Sequence, residues 1–128
     1  MLTGAHILFF STDPEADRAF FRGTLSFPSV DAGGGWLIFA LPPAEAAFHP
    51  VDQAHVQAHA GHGLLGAVLY LMCDELDATL RDLTAKKVAH TEITAERWGR
   101  KTTIKLPSGA ELGLYQPSHV TALTLRGS

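Results

Sequence analysis

The sequence predicts an α+β chain built from two half-domains of the same order: strand, helix, about three strands. Three observations predict it. Apolar strand-forming runs precede capped helical patterns twice, at His6–Phe21 and at Val68–Leu83. The stretch ALPPAEAAFHP (Ala40–Pro50) is echoed by KLPSGAELGLYQP (Lys105–Pro117): each closes a strand with Leu-Pro, turns, and passes through Ala-Glu to an apolar run and a proline. PEADRAFF (Pro14–Phe21) is likewise echoed by DELDATLRDL (Asp74–Leu83). A repeat of about 60 residues in two copies is unlike a solenoid array and fits two packed halves. One half is too small to cover its own sheet and helix, so the two share a core.

The elements follow in order. Residues 4–10 read as a strand because Ile7, Leu8, Phe9 and Phe10 suit a pleated surface. Asp13 caps the next helix and Pro14 takes its first position, where the missing N–H costs nothing. Glu15 and Asp17 favour the positive end of the dipole. Helix one is expected at about 14–23. Gly33-Gly34-Gly35 is a turn, and Trp36–Leu41 an apolar strand broken by Pro42-Pro43. Ala46–Phe48 resumes an extended run. Residues 51–63 are polar, histidine-rich and without clear period, and read as a connection.

In the second half, Val68–Cys73 is a strand and Asp74 a cap. Leu76, Leu80 and Leu83 lie at i, i+4 and i+7, the apolar face of a helix expected at about 75–86. A weaker extended segment follows near Val88–Thr91. Thr102–Leu106 and Glu111–Tyr115 are strands joined by the turn Pro107-Ser108-Gly109. The boundaries are module 1 at about 1–50, a linker at about 51–63, module 2 at about 64–118, and a tail at 119–128, all in one domain of 128 residues.

Composition narrows the function. Acids and bases are spread along a chain of net charge −3, so no basic stripe suggests a nucleic-acid partner. No apolar run is long enough to span a membrane, and the N-terminus lacks a signal-peptide pattern. The single Cys73 cannot form an internal disulfide and reads as a buried thiol in a reducing compartment. A cytoplasmic protein is expected. DAGGGW (Asp31–Trp36) lacks the Gly-Lys-Ser/Thr ending of a phosphate loop.

HILFFSTDPEADRAFFRGTLSF (His6–Phe27) and LPSGAELGLYQP (Leu106–Pro117) resemble the opening strand–helix and the closing hairpin of the vicinal oxygen chelate superfamily. That group includes glyoxalase I, extradiol dioxygenases and the bleomycin-resistance proteins. The resemblance implies two βαβββ modules whose mixed sheets curl into a cup. It implies two functions. One is the binding of a small organic molecule in the cup. The other is a divalent-metal-dependent enzyme (dioxygenase, lyase or isomerase) using Fe, Mn, Ni or Zn on vicinal substrate oxygens.

On that scheme His6 matches the first metal-ligand position. Glu45 and His49 share the parity of Ala47 in the fourth strand, so either could face inward. In the first strand of module 2 the ligand position falls at Ala67 or Val68, which cannot bind metal. In the last strand it falls on Gly113 or, counted from the turn, on Glu111, the candidate catalytic carboxylate. The expected metal set is His6, Glu111 and one of Glu45 or His49, with His6 and Glu111 facing one cavity. Trp98 and Arg100 lie in AERWGRK (Ala95–Lys101), a loop placed to close over a flat or anionic ligand. Tyr70 and Tyr115 could add hydroxyls. His55, His59 and His62 have a zinc-like spacing on a helix, yet the flanking glycines favour a polar linker. Exposed sheet edges and uncovered apolar surface predict a homodimer.

Overall fold

The structure, a computed structural model, describes residues 1–125. Its chain order is α1 (Pro14–Ala19), β1 (Ser29–Asp31), β2 (Leu37–Phe39), β3 (Val56–His59), β4 (His62–Leu65), β5 (Tyr70–Met72), α2 (Leu76–Ala85), β6 (Thr94–Glu96), β7 (Gly99–Lys105) and β8 (Glu111–Pro117). This is the expected α+β architecture, and its sheets stay open.

The second module carries the main sheet. Its strand order is β5-β8-β7-β6, with β5 parallel to β8 and the other pairs antiparallel. Strand alternation sorts its side chains onto two faces. Leu71, Leu112, Leu114, Thr102 and Ile104 fall on one face by register. Helix α2 lays Leu76, Leu80 and Leu83 against them, which closes the main core with Val88. The i, i+4, i+7 pattern is therefore buried as read.

The cap of α2 is not the one expected. Asp74 Oδ1 accepts only the Glu75 N–H, at 2.9 Å. The buried helix start is held from across the sheet: the Leu76 N–H donates to Gln116 Oε1 at 2.8 Å. A cap 40 residues away along the chain satisfies the same orphan donor as a local one. Strand ends shift by a few residues elsewhere. The expected Val88–Thr91 segment contributes an isolated bridge, His90 to Ile104, and the ladder proper starts at Thr94.

In the first module, Asp13 caps α1 as expected, accepting the Ala16 N–H at 3.2 Å. A π-helical turn over Phe20–Thr24 extends α1 and buries Phe21. Phe9, Phe27 and Phe39 lie around the Phe21 ring at centroid distances of 6.0, 5.6 and 5.6 Å, a second small core. The triglycine forms the turn between β1 and β2, with Asp31 Oδ1 accepting the Gly33 and Gly35 N–H groups. Asp17 joins this module to the β7–β8 turn by accepting the Ser108 N–H at 3.0 Å.

Three local expectations are corrected. Residues 4–10 form no ladder, and neither do Ala46–Phe48. Their β-propensity is real, but a strand also needs a neighbour with matching free backbone, and none among the described residues pairs with them. Residues 51–63 are not a featureless connection: β3 and β4 pair as a hairpin running to Leu65. Its two-residue turn, Ala60-Gly61, has φ of 52° and 81°, the sign that matches strand twist in a tight hairpin. The helical reading of His55, His59 and His62 falls with it.

Candidate functional site

The face of the main sheet away from α2 carries Tyr70 on β5, Glu111, Gly113 and Tyr115 on β8, and Lys101 and Thr103 on β7. At its centre three aromatic rings meet edge to face. Trp98 and Tyr115 have centroids 5.1 Å apart, Tyr70 and Trp98 5.6 Å, and Tyr70 and Tyr115 5.8 Å. Such tilted contacts match the positive edge of one ring to the negative face of another.

Two glycines make this cluster. Tyr70 and Gly113 are register partners. A Cβ on Gly113 would lie 2.3 Å from Tyr70 Cδ1 and 2.8 Å from Cγ, so the phenol ring occupies the space of the absent side chain. Gly99 follows Trp98 in the tight β6–β7 turn at φ 152°, where a Cβ would meet Gln116 O at 2.3 Å. The Ser118 N–H holds the turn by donating to Trp98 O at 3.0 Å.

One edge of the cluster is polar. Tyr115 Oη lies 2.9 Å from His119 Nε2, and the His119 ring stacks on Tyr115 at 5.9 Å and 22°. His119 Nδ1 lies 2.9 Å from Val120 O, which can only accept. In the neutral ring Nδ1 therefore carries the proton, and Nε2 accepts from the Tyr115 hydroxyl. Glu45 Oε2 approaches Nε2 at 3.9 Å while its Oε1 accepts the Ala122 N–H at 2.7 Å. On the other side Lys101 Nζ stands 5.9 Å from the Trp98 ring and 3.8 Å from Glu96.

Burial, and then the Glu45 charge, push the Tyr115 phenol above its ordinary pKa. The unfolded chain therefore loses that proton first. Stability is whole below about pH 10 and falls as pH rises above it. The urea midpoint of the wild type is expected to drop more steeply above pH 10 than that of Tyr115→Phe. Parallel curves would show that Tyr115 is not held in this way.

The sequence matches no protein-family model and no curated protein. Solved structures do match. TnmS3, an antibiotic binding protein from Streptomyces sp. CB03234, superposes with a TM-score of 0.60 at 24% identity, covering 92% of this chain and 100% of its own. Lactoylglutathione lyase from Agrobacterium tumefaciens gives 0.60 at 14% identity over 89% and 92% of the two chains. A member of the glyoxalase/bleomycin resistance protein/dioxygenase superfamily from Sphaerobacter thermophilus DSM 20745 gives 0.52 at 18%, over 88% and 93%. The chain has the vicinal oxygen chelate fold.

That fold allows each expected site residue to be located. Tyr70, Trp98 and Tyr115 come together. Arg100 does not join them. It lies one residue from Lys101, hence on the opposite face, and forks onto Asp77 of α2 at 3.2 and 3.3 Å. Those hydrogen bonds and the Arg100 charge hold the Asp77 carboxyl below its usual range. Alternation along β7 gave the aromatic face a lysine and the helix face the arginine.

The expected metal ligands are dispersed. Glu111 shares the face of Gly113, but its Oε1 accepts from Thr103 Oγ1 at 2.8 Å. His49 is exposed, with Nδ1 2.9 Å from Pro50 O, and His6 is exposed near the N-terminus. Glu45 is engaged with Ala122 and His119. Among the described residues no three His, Cys, Asp or Glu side chains stand close enough to hold a metal ion. The space beside Gly113 is filled by the Tyr70 ring. The donors of a single chain thus do not fit a three-ligand centre.

Sequence reasoning missed His119, which it left in a tail. The only signal was its place two residues beyond Pro117, where the proline turns the chain back toward Tyr115. Cys73 is half-buried, and burial raises its thiol pKa, in keeping with an unreactive sulfur. No helix among the described residues is long and apolar enough to cross a membrane.

Proposed function

We propose that this protein binds a flat, largely apolar organic molecule against the Tyr70–Trp98–Tyr115 face, as a homodimer. One observation carries the reading. At the centre of the last strand, where the resemblance put a metal ligand, a glycine admits an aromatic ring instead. The same face thereby offers π surface, with a lysine on one side and a Tyr–His pair on the other. Such a site suits stacking plus a few directional hydrogen bonds. TnmS3 is described as an antibiotic binding protein, which agrees with this use of the fold. Tyr70 is 37% exposed and Trp98 half-buried, while Tyr115 is buried, so the ligand stacks on the first two rings.

Titration with a panel of planar aromatic compounds tests the proposal, read by quenching of Trp98 fluorescence. Trp36, the other tryptophan, is the internal control. Saturable quenching by a panel member is expected. Tyr70→Ala is expected to weaken it about tenfold, by the loss of about 1.4 kcal/mol of stacking and burial. No saturable quenching across the panel would defeat the reading. The metal-dependent reading makes a different demand. Protein purified without chelator would carry stoichiometric Fe, Mn, Ni or Zn, lost in His6→Ala, and that result would replace the binding reading.

A further inference from the structure

The β3–β4 hairpin is an element that the aromatic site does not use. By register, Val56, Ala58, Gly63 and Leu65 share one face, and Gln57, His59, His62 and Leu64 share the other. The first face is wholly apolar. Nothing among the described residues covers it: all eight residues are exposed, with Val56 at 60% and Leu65 at 77%. A two-stranded hairpin without a packing partner is marginal in water.

Its edges are also undefended. From Gln53 to Cys73 the sequence contains no Lys, Arg, Asp or Glu. Exposed edge strands ordinarily carry charges that discourage pairing, so an edge without them is suited to pairing.

The segment 4–10 has the complementary need. It lacks ladder partners, and Ile7, Leu8, Phe9 and Phe10 are 40 to 54% exposed. The two elements adjoin on the hairpin's other face, where the Phe10 and His59 rings meet at 5.9 Å, so the segment leaves the Val56/Ala58/Gly63/Leu65 face open. The hairpin thus offers an uncovered apolar face close to an unpaired apolar segment that the same chain does not lay on it. A two-fold axis through such a patch lays each hairpin on the other copy's segment.

The surface area points to the same occupant. The chain exposes 9945 Å². A compact folded protein of its mass exposes about 6,600 Å². Each chain thus carries an excess of about 3,300 Å², so two chains have ample surface for an obligate interface of about 2,000–5,000 Å².

We infer that the Val56–Leu65 hairpin is a dimerisation arm whose Val56/Ala58/Gly63/Leu65 face packs on residues Ile7–Phe10 of a second copy. The inference rests on the homodimer reading above and specifies its contact. Sedimentation equilibrium at micromolar concentration tests both. The comparison is wild type against Val56→Glu/Leu65→Glu, whose side chains are exposed in the single chain and do not hold its fold. Wild type is expected at about twice 13.7 kDa and the double variant near 13.7 kDa, with unchanged far-UV circular dichroism and at least a 100-fold weaker dimer. A dimeric double variant of wild-type affinity overturns the arm and leaves the homodimer standing. A wild type near 13.7 kDa overturns both and gives the hairpin face to some other partner.

Discussion

Gly113→Ala is expected to destabilise the protein by about 1–3 kcal/mol, the usual cost of overfilling a packed site. The new methyl would sit 2.3 Å from Tyr70 Cδ1, so the ring must leave its place over β8. Backbone conformation is not the issue, since Gly113 sits mid-strand and not at positive φ. The effect should therefore run through Tyr70 alone. In a Tyr70→Ala background the same substitution should cost little, which gives a coupling energy of about 0.5–3 kcal/mol in a double-mutant cycle. Near-UV circular dichroism and Trp98 fluorescence should change with Gly113→Ala, because Tyr70 meets both Trp98 and Tyr115. Additive effects would refute the view that the glycine exists to admit the ring. Ligand-induced quenching should weaken in step with the displaced ring, which ties the fold argument to the function.

Leu76→Ala should have the larger effect on stability, about 2–5 kcal/mol. Leu76 is fully buried at the start of α2, and it packs in the core with Ile104, Leu112 and Leu114. The substitution keeps the backbone N–H that donates to Gln116, so the loss isolates packing from capping. Whole-domain stabilities are about 5–15 kcal/mol, so the urea midpoint should fall by a large fraction at nearly constant slope. A loss under about 1 kcal/mol would mean that this core does not hold the sheet to its helix.

The Tyr115–His119 pair shows how much of the site lies outside any local pattern. Tyr70, Trp98 and Tyr115 were each visible in the sequence as aromatic residues at strand or turn positions. Their convergence depends on the parallel β5–β8 register, which joins residues over 40 apart. Arg100 and Lys101 are adjacent basic residues that the local sequence does not tell apart. The phase of β7 decided between them, because adjacent side chains on a strand face opposite ways.

The sequence by itself determined the helices, the α2 apolar face, the two tight turns at Gly33–Gly35 and Pro107–Gly109, and the strand–helix–strands order of the second module. These rest on local chemistry: the Asp13 cap, proline φ, glycine at positive φ, and the 3.6-residue period. Only the tertiary structure decided which extended segments became strands, because a strand is completed by a neighbour's backbone. Residues 4–10 and Ala46–Phe48 have the propensity without the neighbour, while Val56–Leu65 supplies its own partner through a two-residue turn. The same holds for the site. Gly113 is an unremarkable glycine until the register sets Tyr70 beside it. Gln116 is a polar strand residue until the sheet carries it to the start of α2. Contacts between residues far apart in the chain depend on register and packing, and neither is encoded at a single position.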